Sequence, residues 1–470
     1  MEKENKLNSI IFIFLFVISS VIIFNKLGSS SVNNWDEAIY GENALQILKT
    51  NDWVVMKCGG LPDPSVLKPP VGAWLIAISF IIFGVNEFAL RFWSALAGVG
   101  TIMAVYLFGK SIANKTAGFL AAILLLTIPS FIGLHGARTG DYDVILTFFL
   151  TSALYSFYLY DKDKKNKFFI ISTIFFSLAV LTKGIVGLFF LPIILCYLVY
   201  NKNLKQIVSK NGLYALTIFV IITFPWFILR TLRQKGFISE MISYDLFKRT
   251  TEAVEGHVGG WNYYFTLLAQ NLGLFFMILV ISVIYAANRT SKKNKEYSLL
   301  LIWIVFFLGV FTIARTKLYW YITPVYPAIC ILTAISINEL LIKLKKLKII
   351  IFIMLIALLI LPLNNIIKLT NEAHTDNQNY QKIKNFKLYL NTTDNLMIRY
   401  GSQYSEPSEI FYLDSFTKGK FRVFTSLENI SANPGDLIMS FENETTRSLL
   451  NNSEYTLIKG KENFYLFKKA

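Results

Sequence analysis

Three groups of charged residues stand where a chain this apolar has no evident structural need for them. The first lies in Asn33-Asn34-Trp35-Asp36-Glu37-Ala38-Ile39-Tyr40. A carboxylate can take a proton from a hydroxyl or an amine, but acidic residues also suit the positive first turn of a helix, so an ordinary helix start is the competing reading. Successive helical residues point about 100° apart, so Asp36 and Glu37 cannot both face one reacting atom. One would be the catalyst and the other its support, with Tyr40 one turn further along. The second group is Arg138-Thr139-Gly140-Asp141-Tyr142-Asp143. Asp143 opens an apolar helix, where an ionisable group is expensive and by default functional, with Arg138 as its expected partner. A plain salt bridge is the alternative. The Asp-Tyr-Asp spacing is weak support for a divalent metal ion, the only cofactor the sequence suggests, and no ligand set for it is fixed. The third group is cationic: Lys68 before Pro69-Pro70, then Arg91, Lys183, Arg230, Arg249 and His257. An anion such as a phosphate would account for them, and lipid headgroups are the other explanation.

The elements that must position these residues are membrane helices. The chain has 470 residues, of which 54% are hydrophobic and 16% charged, and its mean hydropathy is +0.49. Soluble domains carry about 25% charged residues, so a soluble enzyme and a disordered chain are both excluded. The net charge of +16 falls in short clusters between apolar runs rather than on one basic face, which argues for membrane topology and against nucleic acid. Cys58, Cys196 and Cys330 are too scattered for a disulfide framework and read as packing residues.

A spanning helix needs about 20 apolar residues. Clear runs lie at 8–24, 88–109, 117–134, 142–160, 212–229, 263–287, 298–314, 318–342 and 349–363, and 168–200 reads as a hairpin of two short helices broken at Thr182-Lys183-Gly184. The connections 1–8, 110–116, 161–167, 201–211, 288–297 and 343–348 carry two to four Lys or Arg each. All six fall on the inner side if 69–84 lies at the outer interface without crossing. Eleven spans result, in an expected range of 11–13. The segments 26–87, 230–262 and everything beyond about 364 then lie outside. From about 369 the composition turns polar, with strand-like patterns at 395–400, 421–424, 436–441 and 455–467 and helix-like stretches at 380–390 and 445–450, a small α/β domain. The expected division is a transmembrane catalytic domain over 1–367, including outer loops 26–87 and 230–262, and an extracytoplasmic domain over 368–470.

The motifs are ordered along the chain: Trp35-Asp36-Glu37-Ala38 with Tyr40, Asn51-Asp52-Trp53, Lys68-Pro69-Pro70 with Trp74-Leu75, and Phe83-Gly84-Val85 with Glu87-Phe88-Ala89 and Arg91. Ala137-Arg138 with Asp143, Leu181-Thr182-Lys183-Gly184, Pro225-Trp226, and His257 with Trp261 and Tyr264 follow. Together they resemble the bacterial polyprenyl-phosphate-sugar glycosyltransferases, GT-C membrane enzymes that include the lipid A aminoarabinose transferases and are related to the protein O-mannosyltransferases. The resemblance covers roughly residues 30 to 330. It implies inverting transfer of a hexose or pentose from a polyprenyl-phosphate donor to a lipid, glycan or protein acceptor, on the outer face of a bacterial plasma membrane. By position, Asp36 corresponds to the catalytic base and Asp143 to the second acid, near the acceptor or a metal. Lys68 corresponds to the lysine that holds the donor phosphate. Arg138, Lys183 and His257 correspond to cavity positions, and Arg138, Lys183 and Arg91 join Lys68 in the phosphate-binding set. Asp141 and the stretch 57–63 depart from the family pattern, and Asp141 is grouped with Tyr40 and His257 on the acceptor side.

A transporter or lipid flippase is the main alternative. It should show repeated halves and ionisable residues at mid-membrane on broken helices, whereas here the acids sit at helix ends and no repeat is visible. A membrane receptor would leave Asp36, Lys68 and Asp143 unexplained.

Overall fold

The computed structural model describes residues 2–63, 66–291, 294–372, 378–390, 395–399, 407–424, 432–440, 443–461 and 464–470. The protein is mostly helical and multi-pass. Among the described residues, eight helices are long and apolar enough to cross a bilayer, and a ninth span results if Tyr263–Leu272 and the helix after it count as one, bent by 118°. The break falls at Gly273, whose φ of 54° ends the first helix.

Fewer helices are long enough than the eleven runs expected, because several runs are interrupted. The run 117–134 becomes Lys115–Leu126 and a single turn, Pro129–Ile132, since a proline tolerated at a helix start cannot continue the preceding helix. The expected hairpin over 168–200 is present as Asn166–Lys183 and Phe190–Tyr200. The segment assigned to the interface is the helix Val71–Phe83. Its 13 residues rise about 20 Å, short of a hydrocarbon core of about 30 Å.

By internal contacts the chain forms two compact units. One comprises residues 1–26, 67–71 and 93–372, and the other 27–66, 72–92 and 373–470. By contacts the later boundary falls between 372 and 373. Apart from 67–71, the first outer segment does not group with the spans. It packs with the C-terminal residues, through contacts more than 300 positions apart in sequence.

Helix Glu87–Ile112, whose residues from 93 on belong to the first unit, and that unit's Asp143–Asp163 and span over 319–343 are mostly buried. Helices Glu2–Phe24, Lys210–Arg233 and Lys348–Asn371 leave most of their apolar surface uncovered. In a bilayer such surface faces lipid, because a helix satisfies its own backbone. Cys330 is buried in this unit, but Cys196 is exposed on an uncovered face, so only Cys58 and Cys330 match the packing role read from sequence.

The second unit is built on a five-stranded mixed sheet, ordered Phe421–Phe424, Leu396–Arg399, Leu437–Ser440, Phe464–Lys469, Tyr455–Lys461. The first three strands are parallel and the last two form an antiparallel hairpin. Ile438, Leu449, Ala432 and Phe467 make a core on it. Helix Pro407–Phe416, which the sequence reading does not single out, packs on Asp36–Thr50: the Tyr412 hydroxyl accepts from the Val32 amide at 2.8 Å and donates to Glu87 at 2.8 Å.

Candidate functional site

In the first unit two of the cations, Lys68 and Arg249, meet at Asp245, a residue sequence reasoning did not find. Lys68 precedes Pro69, whose ring restricts the backbone before it. Its ammonium donates to both Asp245 oxygens, at 2.8 and 3.0 Å. The Arg249 Nε lies 3.6 Å from the same carboxylate. Arg249 also donates to the Tyr321 hydroxyl and stacks over the Tyr244 ring, 4.9 Å from its centroid. Asp245 sits in a turn of π-helix, Ser243–Lys248, a geometry that is rare and frequent at functional sites. Burial lowers the affinity of Lys68 for its proton, and the positive charges of Arg249 and Lys183 lower it further, while Asp245 opposes both.

Asp143 begins helix Asp143–Asp163 and is buried, and its partner is Lys183, Nζ to Oδ1 2.7 Å, rather than Arg138. Lys183 is the last residue of its helix, which can stop there because Gly184 takes φ 47° and its amide closes on Val180 at 2.8 Å. Lys183 is the counter-charge of Asp143. Arg138 instead donates to the Ile23 and Asn25 carbonyls, both at 2.7 Å, capping the first helix. Asp141 is buried. The Thr139 hydroxyl donates to it at 2.6 Å, and the Nδ1 of His135 lies 3.2 Å from its other oxygen. Burial alone would raise its pKa, but His135, Thr139 and then Lys183 together hold it below the usual carboxylate value. His135 stacks on Trp320, with ring centroids 3.6 Å apart. His257 is half-exposed, with its Nε2 3.8 Å from Glu255.

In the second unit, Asp36 opens helix Asp36–Thr50 and is partly exposed. The residue before it, Trp35, has φ 68° and ψ −124°, a region that side chains other than glycine rarely enter. Such strain costs about 1–3 kcal/mol and clusters at functional sites. Glu37 is buried and bound by Arg91 through two bonds, Nε to Oε1 2.7 Å and Nη2 to Oε2 3.1 Å. Asn33 adds its amide at 2.8 Å and its side chain at 2.6 Å. The remaining N–H groups of Arg91 reach the Leu27, Ser30 and Ser31 carbonyls and the Ser30 hydroxyl. Every donor of Arg91 is thus spent on protein, which corrects its assignment to phosphate binding. Tyr40 is buried.

Nearly two turns beyond Asp36 on the same helix, Glu42 is buried beside Asp414. It accepts from the Gly59 amide at 3.1 Å. Asp414 accepts from Gln46 at 2.7 Å and Lys49 at 2.5 Å. Burial, and after it the Asp414 charge, pushes the Glu42 carboxyl well above its usual range.

Residues 67–229 match the family described as dolichyl-phosphate-mannose-protein mannosyltransferase. The chain belongs to the GT-C superfamily of membrane glycosyltransferases. It is 32% identical over 353 residues to an uncharacterised protein of Aquifex aeolicus, covering 74% of this chain and 68% of that one. It is 28% identical over 320 residues to the undecaprenyl phosphate-alpha-4-amino-4-deoxy-L-arabinose arabinosyl transferase of Aeromonas salmonicida, but spans only 56% of that enzyme's length, against 65% of its own. Its fold is similar to ArnT from Cupriavidus metallidurans bound to undecaprenyl phosphate, with a TM-score of 0.73 over 97% of each chain at 16% identity. It is also similar to the archaeal oligosaccharyltransferase AglB from Archaeoglobus fulgidus, TM-score 0.61 at 16% identity over 91% of this chain and 69% of that one.

Proposed function

We propose that the protein is an inverting glycosyltransferase that moves a sugar from a polyprenyl-phosphate donor to a hydroxyl or amine of a lipid, glycan or protein acceptor. The observation that carries this reading is the pair of cations, Lys68 and Arg249, gathered about one carboxylate in a family whose named relatives act on or bind lipid phosphates. The lipid-linked phosphate is already a good leaving group, so the chemistry needs cations to receive its charge more than it needs a strong acid. The acceptor needs a base. Asp36 takes that proton, the acceptor lone pair attacks the anomeric carbon, and the bond from that carbon to the phosphate oxygen breaks with its electrons left on the oxygen. A single displacement inverts the anomeric centre. Lys183 neutralises Asp143 in this reading and no divalent ion is assigned.

The basic connections between spans support an orientation with their side in the cytoplasm and the C-terminal residues outside the plasma membrane. The test is transfer in reconstituted membranes by Asp36→Asn. Its rate should fall by about 10²-fold or more with the thermal midpoint unchanged. A rate equal to the parent protein's would exclude Asp36 as the base.

A further inference from the structure

The donor and the lipid left after transfer differ by one charge. The donor is a phosphodiester with a single negative charge. Breaking its bond to the sugar leaves a monoester that carries nearly two at neutral pH, because a second phosphate ionisation lies near 6. A site that grips phosphate through cations alone would therefore hold its product more tightly than its substrate.

The cluster around Lys68 is built otherwise. Lys68 and Arg249 bring two positive charges and Asp245 one negative, so the group carries a net charge of +1. Asp245 also occupies Lys68 with both of its oxygens, in the geometry a phosphate would use. Lys183, whose charge also reaches Lys68, is itself paired with Asp143 at 2.7 Å. We infer that Asp245 is a built-in competitor of the lipid phosphate at Lys68 and Arg249, and that its charge weakens the site's hold on the doubly charged monoester more than on the singly charged diester, so that the spent lipid leaves more readily. This inference rests on the reading of Lys68 as a phosphate ligand. Asp245 is a positioning residue here, because it acts on the lipid through the two cations and through its own charge.

The test uses the full-length protein in nanodiscs at pH 8, with undecaprenyl phosphate and its methyl diester as the probes. Their dissociation constants are measured for the parent protein, Asp245→Asn, Asp245→Glu and Lys68→Ala. Asp245→Asn should tighten the monoester by at least about fivefold, the weight of one unit charge at contact distance in a water-like medium, and tighten the diester less. Asp245→Glu should restore the parent's preference, which separates charge from any loss of fold. If Lys68→Ala weakens both lipids while Asp245→Asn leaves the monoester unchanged or looser, Asp245 does not compete and the inference is overturned, with the phosphate site intact. If Lys68→Ala changes neither lipid, the phosphate site itself is refuted and the inference with it.

Discussion

Two buried ion pairs in this protein use the same chemistry to opposite ends. At Glu37 and Arg91, each N–H of the guanidinium has a protein acceptor and both carboxylate oxygens have protein donors. Nothing is left over for a ligand. At Lys68 and Asp245, one carboxylate serves two cations, the Arg249 contact is long at 3.6 Å, and the Lys68 side chain keeps about a fifth of its surface exposed. The first pair is closed and holds the loop 27–33 against helix Glu87–Ile112. The second is unequal in charge and can exchange a partner. A cation is informative about ligand binding only after its protein acceptors have been counted.

The largest effect should come from breaking the closed pair. Arg91→Ala leaves Glu37 buried without its counter-charge, a change that costs about 3–5 kcal/mol, so the thermal midpoint of the purified protein should fall sharply. Lys68→Ala should move that midpoint little and instead raise the half-saturating donor concentration, by about tenfold or more for one charge-assisted hydrogen bond. If Lys68→Ala destabilised the fold as much as Arg91→Ala, the distinction between the two pairs would be lost. The smallest effect concerns Glu42 and Asp414, where acids outnumber bases. The folded state keeps a proton on Glu42 that the unfolded chain releases above about 4.5, so stability falls as pH rises from that value through the higher folded one. Glu42→Gln should flatten this dependence in melting curves taken across the acidic to neutral range.

Much of this was legible in the sequence, for identifiable reasons. Strands such as 421–424 and 437–440 show in their composition, and helix Asp143–Asp163 in an apolar run that opens on a charge. Helix Pro407–Phe416 was not legible because residues 407–414 are buried on every side, which erases the polar face that marks a helix. The grouping of 27–66 and 72–92 with the C-terminal residues rests on contacts such as Gln46 with Asp414, which no local pattern encodes. The partner of Asp143 was misread because Arg138 lies close in sequence while Lys183 lies 40 positions away. Asp245 gave no signal, being an unremarkable acid in a polar stretch. His135 could have been found as one of only three histidines.

The π-helical turn at Ser243–Lys248 carries Asp245 on a backbone with one residue more than an α-helical path would hold. On its C-terminal side the backbone is moored: the Arg315, Thr316 and Lys317 amides donate to the Thr250, Arg249 and His257 carbonyls. On its N-terminal side, beyond a short helix, lies Gly236 at φ 87°, where slack can be absorbed. Releasing the one surplus residue of a π-turn rotates what precedes it by about 100°. A slip of a single register would swing the carboxylate off Lys68 while Arg249 kept its berth, a motion that needs neither a domain shift nor the unfolding of a loop.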